Sequence, residues 1–256
     1  MEFSNLGISL VVGGLLLFLY WLNEVCTPGE DSDHRQYRPR RKEWPARRRR
    51  DSGRGRKSAH DWQQEAGEVG ERMFCEYLQR NQARLPLAGH LETDSLAINV
   101  RQEPNFFQID NLLAIPNRCL IVVEVKNWTG DLHVSEVGDW LQVKRDRYGN
   151  HHERFLSNPI TQVRRTTRLF RYLLERNGLT AAPVGRLVVL VNPNARLVGR
   201  ERLSSSTKVL TLDEVGDFLE RVPAIQPYRS GMNQRFFAGI EQALENSARP
   251  YPASGY

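Results

Sequence analysis

The chain has 256 residues, 36 Lys and Arg against 30 Asp and Glu, and a formal charge of +6, which suits one medium domain with appendages. Its three cysteines, Cys26, Cys75 and Cys119, lie far apart without CxxC or paired-histidine companions, so neither a disulfide framework nor a zinc site is suggested. The basicity is local: residues 34–58 hold twelve Lys and Arg against Glu43 and Asp51, leaving 24 basic and 28 acidic residues elsewhere.

Leu6 to Leu22 is an uncharged apolar run ending in Tyr20-Trp21, the short limit for a bilayer-spanning helix with aromatics at the headgroup level. A cleaved signal peptide fits less well, because Glu2 replaces a basic start and no small-x-small cleavage site follows. With the basic residues after the run and none before it, the positive-inside rule places the C-terminal bulk in the cytoplasm. The expectation is a single-pass inner (plasma) membrane protein, anchored by residues 1–25 through the 6–22 span. Residues 26–60 then read as a basic, Pro-, Gly- and Ser-rich disordered linker. Its 35–57 segment can fix topology, lie on anionic lipid or hold phosphates.

Asp61 to Arg80 is a predicted helix with Asp61 as its N-cap. Ala66, Val69, Met73, Phe74, Tyr77 and Leu78 share an apolar arc at helical spacing, with Glu71 at its border. Leu96 to Val100 is a short strand candidate that leads into the next stretch.

Two β-rich runs, Phe106 to Ile115 and Cys119 to Val125, flank Pro116-Asn117-Arg118 and predict a hairpin centred on Asn117. In a symmetric register, residues whose numbers sum to 234 lie opposite, so Asp110 faces Glu124. Asp110, Glu124 and Lys126 then share one side of the sheet, with Ile109, Val123 and Val125 on the other. Two carboxylates held this close resist joint ionisation unless a cation sits between them, and a divalent metal suits an all-oxygen site. The same pattern also reads as a solvated strand edge, but charges among so many Val, Ile and Leu residues are costly without a purpose.

His133-Val134 and Trp140 to Val143 continue an antiparallel meander, with Asp146 to His151 a polar turn and His151-His152 an exposed turn pair. Trp128 is expected to pack over the sheet end. Asn158-Pro159 starts a long helix with Val163, Thr166, Phe170, Leu173 and Leu174 as its buried stripe and Gly178 at its end. Gln162 falls on that stripe, where a buried amide needs partners, either a site or a capping turn. Arg164, Arg165, Arg168 and Arg171 share the opposite face, which reads as solvated. Gly185 to Val191 is a strand buried on both faces, Val209-Leu210 another, Asp213 to Arg221 a short helix. Asn233 to Asn246 is an amphipathic helix that caps the domain or mediates self-association.

Gly67-x-x-Gly70-Glu71, Gln108-Ile109-Asp110-Asn111, Glu124-Val125-Lys126-Asn127-Trp128-x-Gly130 and Asn158-Pro159-x-x-Gln162 together resemble the NERD (nuclease-related) domain of the PD-(D/E)xK nuclease superfamily over about residues 62–195. Ile109 replaces the proline of the superfamily's name. The resemblance implies an α/β, restriction-endonuclease-like fold, a mixed central sheet flanked by helices, spanning 61–222 with 223–256 as a C-terminal helix and tail. It implies hydrolysis of DNA, with RNA not excluded, using Mg²⁺ or Mn²⁺ held by Asp110, Glu124 and the Val125 carbonyl, and by Glu71 directly or through water. Lys126 would orient water or stabilise the transition state, and Gln162 would position substrate. The alternative is a membrane-tethered module that binds nucleic acid or a partner without cutting it, since fold alone does not establish chemistry.

Overall fold

The computed structural model describes residues 59–248 except 88, 94–95, 101–102, 117, 180–182, 205 and 224–233. The 6–22 span, nearly all of the basic linker, the tail from 249 and Asn117 lie outside the described residues. No described helix is long and apolar enough to cross a membrane.

Alternating Val, Ile and Leu runs build a five-stranded mixed sheet. Strand β1 (Gly89–Leu91) pairs antiparallel with β4 (Asn111–Ile115), and β4 pairs antiparallel with β5 (Cys119–Lys126). Beyond β5, the strands β9 (Val184–Leu190) and β11 (Lys208–Thr211) continue in parallel. Every residue of β9 is buried, as expected for a strand covered on both faces. Helix α1 (Ala59–Arg80) covers one face, where Phe74 and Leu78 meet Leu113, Ile121, Val123 and Val189. Helix α2 (Pro159–Arg176) covers the other, where Val163, Phe170 and Leu174 meet Leu112, Val122 and Val188. The described part is thus a mixed α/β layer arrangement.

Strands β2 (Leu96–Val100) and β3 (Glu103–Phe107) form a separate hairpin. Phe106 and Phe107 therefore belong to β3 rather than to the central hairpin, whose first arm starts only at Asn111. A second sheet places β10 (Ala195–Val198) parallel to β6 (Gly130–His133), followed by β7 (Trp140–Arg145) and β8 (His151–Leu156), antiparallel in turn. His151 and His152 are exposed as expected but open β8 instead of sitting in the turn. Asp146 closes that turn, accepting from the Tyr148 and Asn150 amides at 2.8 and 2.9 Å.

Helix α1 begins at Ala59, so Asp61 lies inside its first turn and is not the N-cap. The start of α2 is as expected: the Asn158 side chain accepts from the Ile160 amide at 2.9 Å and donates to the Ser135 and Gly138 carbonyls at 3.0 and 2.8 Å. That one amide ties the helix to the loop before β7. The arginines of α2 are latches more than a solvated face: Arg164 pairs with Glu136, Arg165 donates to the Phe106 carbonyl at 3.1 Å, and Arg171 to the Val184 carbonyl at 2.6 Å. Helix α3 (Val215–Arg221) buries Val215 and Leu219 beneath α1's side of the sheet. Helix α4 (Gln234–Ser247) buries Phe236, Ile240, Ala243 and Leu244 in the α2-side core, so among the described residues it caps that core.

Candidate active site

The hairpin register is the one expected from symmetry: Asn111 faces Val123, and Ile115 faces Cys119. Asp110 stands one residue before β4, and its Oδ2 accepts from the Val125 amide at 2.8 Å, which fixes the carboxylate beside Glu124. Ile109 is the exception to the expected side assignment. It packs in the α2-side core, whereas Val123 and Val125 pack with α1, because strict alternation does not extend beyond the strand's first residue.

Glu124 is 2% exposed, and Lys126 Nζ lies 2.5 Å from its Oε1. Even so, burial and then the Asp110 charge outweigh this contact and push Glu124 up to about 8. Burial also raises Asp110, against the pull of Lys126. Glu71, half-buried on α1, is pushed up to about 7 by burial and then by Asp110 and Glu92. Three carboxyls in one field with one lysine is a surplus of negative charge that favours protons or an added cation.

Glu71 is placed by close backbone approach. A Cβ on Gly70 would meet Asn127 Cβ at 3.0 Å. Asn127 spans the gap, its Nδ2 donating to the Ala66 carbonyl at 3.3 Å and its Oδ1 accepting from Asn192 at 2.8 Å. The Asn in the Lys126-Asn127-Trp128 run is thus a brace between α1 and the end of β9. Behind Glu71, Cys75 hydrogen-bonds Glu92 and accepts from Asn111 at 3.4 Å. Burial and Glu92 push the thiol up to about 12, which favours its protonated form.

Glu71, Asp110, Glu124, Lys126 and Gln162 all line one cleft of about 930 Å³. Gln162 reaches it differently from the expectation: it is exposed on the cleft wall, not on the buried stripe of α2. Trp128 lines the same cleft, 6.0 Å edge-on from buried Trp140 and with Lys126 Nζ 5.9 Å from its ring. Lys144 and Arg154, from β7 and β8, also face the cleft. Sequence reasoning passed over both, because β8 is too polar to read as a strand and its pairing with β7 was therefore invisible.

Residues 66–191 match the family model described as the nuclease-related domain, NERD. This segment is a nuclease-related domain. It runs from the middle of α1 to the residue after β9 and contains all five cleft residues named above. The strands and helices after residue 191 lie outside the match yet complete both cores of the domain. No curated protein matches the chain, and no solved structure does.

The donor set fits a hard divalent cation: carboxylate oxygens from Asp110 and Glu124 and a backbone carbonyl at Val125, with no soft ligand. Among the described residues, no three Asp, Glu, His or Cys side chains converge closely enough to hold an ion by themselves. A cation here would rest on two carboxylates, the carbonyl and water.

The raised acids predict an inverted pH dependence for the metal-free protein. Glu124 and Glu71 have ordinary values of 4.5 and folded values of about 8 and 7, so between these limits the folded state binds more protons than the unfolded state. Stability is then fullest below pH 4.5 as far as these groups are concerned, and falls as pH rises toward 8. Calorimetry in EDTA should show a melting temperature that drops across this window, with Mg²⁺ flattening the slope. A melting temperature that rises with pH in EDTA would contradict the carboxyl assignments.

Proposed function

We propose that the nuclease-related domain hydrolyses phosphodiester bonds of nucleic acid, DNA in the first instance and RNA as a second substrate, with Mg²⁺ or Mn²⁺ as cofactor. The observation that carries this is half-buried Asp110 beside buried Glu124, which is paired with Lys126, all three lining one cleft inside the family match. Asp110, Glu124 and the Val125 carbonyl would hold the ion, with Glu71 reaching it through water. When bound, the cation supplies charge stabilisation and lowers the pKa of the attacking water. Lys126 is anchored by Glu124 so that its ammonium points into the cleft, where it orients water or meets the charge that develops on phosphorus oxygens. Glu71, near 7, is placed to accept a proton at working pH, and exposed Gln162 positions the substrate. The fold reading that goes with this is restriction-endonuclease-like.

The whole chain is read as membrane-anchored through residues 6–22, with the domain in the cytoplasm and the 35–57 segment on anionic lipid or phosphate. One experiment tests both parts. Membranes from cells expressing the full chain are washed in alkaline carbonate, extracted in detergent and assayed on DNA and RNA with Mg²⁺, Mn²⁺ or EDTA. Retention in the washed pellet and metal-dependent cleavage are expected. Release by carbonate removes the anchor. Retention without cleavage under any metal favours the non-cutting module.

A further inference from the structure

The β7–β8 hairpin carries features that hydrolysis alone does not use. The exposed large apolar side chains among the described residues are Val137, Tyr148 and Phe155, at 75%, 73% and 72%. All three lie on this hairpin or the loop that enters it. Scattered singly such side chains need no explanation, but Phe155 also lines the cleft.

Charge is concentrated in the same place. Lys144 and Arg154 line the cleft, and among the described residues neither pairs with a carboxylate. Three other cations are paired with carboxylates: Arg164 with Glu136, Arg200 with Glu214 and Lys126 with Glu124. At the hairpin tip, the Arg147 guanidinium stacks 4.7 Å from the Tyr148 ring centroid.

The register arranges these groups. Gln142 faces Arg154 and Lys144 faces His152, on the side that carries buried Trp140, Gln142 and Leu156. Phe155 faces Leu141 on the other side. Arg154 and Phe155, on opposite sides of the edge strand β8, both line the cleft, as does Lys144.

Resting on the hydrolytic reading of the acid pair, we propose that this hairpin grips single-stranded nucleic acid, with an unpaired base stacked on Phe155 and Lys144 and Arg154 holding phosphates beside Asp110 and Glu124. An aromatic ring open to water offers a base a π-face regardless of sequence, and phosphates track neighbouring cations. A duplex has its base faces already stacked and can use only the cations. DNA and RNA strands share both features.

The test measures binding, not cutting. Fluorescence anisotropy on the full chain in detergent and EDTA compares a labelled oligodeoxythymidine, an oligouridine and a blunt DNA duplex. Phe155→Ala should weaken both single strands by about tenfold, the range of one base–aromatic stack, spare the duplex, and be rescued by Phe155→Trp. Lys144→Ala should weaken all three and reduce the salt slope by about one. Unchanged single-strand affinity in Phe155→Ala, or an equal loss on the duplex, would overturn the proposal. The two readings fail separately: binding through Phe155 without any cleavage removes the hydrolytic function alone, and cleavage indifferent to Phe155 removes the grip alone.

Discussion

Asp110→Asn and Glu124→Gln should each lower kcat by about a thousandfold, while the metal-free domain melts no lower than wild type. A metal ligand lost from a hydrolytic site forfeits several kcal/mol of transition-state stabilisation, and about 4 kcal/mol is a thousandfold in rate. Stability moves the other way, because both carboxyls are raised by burial and Glu124 also by the Asp110 charge. Neutral isosteres remove that repulsion. Lys126→Ala is the discriminating variant. Stripping one partner from a buried ion pair ordinarily costs about 3 to 5 kcal/mol, through the charge left behind. Here Glu124 already sits near 8 and can take up a proton when the ammonium is removed, so the fold should survive while activity is lost. Parallel measurement of kcat and of melting with and without Mg²⁺ reads both effects. A wild type whose melting ignores Mg²⁺, together with a Lys126→Ala chain that unfolds, would leave these residues as a structural ion cluster.

The second large effect is on folding. Gly130→Ala should destabilise the domain by about 3 kcal/mol, combining positive φ at roughly 1 to 2 kcal/mol with overpacking of similar size. Gly130 has φ +86°, and a Cβ there would lie 2.5 Å from the Val143 carbonyl oxygen and 3.0 Å from Lys144 Cγ. The first obstacle is backbone, so β6 and β7 must part for the methyl to fit. Gly138 supplies the control: its φ is +81° with nothing within 4 Å of the added atom, so Gly138→Ala should cost only the conformational share. Denaturant midpoints of the two variants give the difference. Equal losses would mean that β7 yields freely and that the close approach is not what holds the second sheet.

The contrast between what could and could not be read in advance follows from the reach of each signal. The acid pair was legible because one turn and one alternation fix it: a break at 116–118 between two apolar runs leaves a single register that buries both. The ends of α2 were legible for the same reason, since Asn158 and Pro159 act within one turn. Ile109 was misplaced because alternation was carried two residues past the end of the strand. Gln162 was misplaced because helical spacing gives a direction around the axis but not where the neighbouring sheet ends, and the cleft opens just there. Strand β8 was missed because five of its six residues are exposed, so it owes its shape to pairing with β7 and not to burial. Lys144 and Arg154 were lost with it.

The parallel pairing of β5 with β9 joins Leu120 to Val184, and β6, β7, β8 and α2 lie in the loop which that pairing closes. The β4–β5 hairpin needs no such closure, since Ile115 meets Cys119 across a tight turn. Loop entropy must be met before distant contacts repay it, so local pairs form fast and remote ones slowly. The chain therefore assembles its chemistry before its container. Asp110 and Glu124 first meet in water, where the high dielectric makes their repulsion slight. The electrostatic burden arrives only as β9 and α2 close over the finished hairpin, on the slowest step and not on the first.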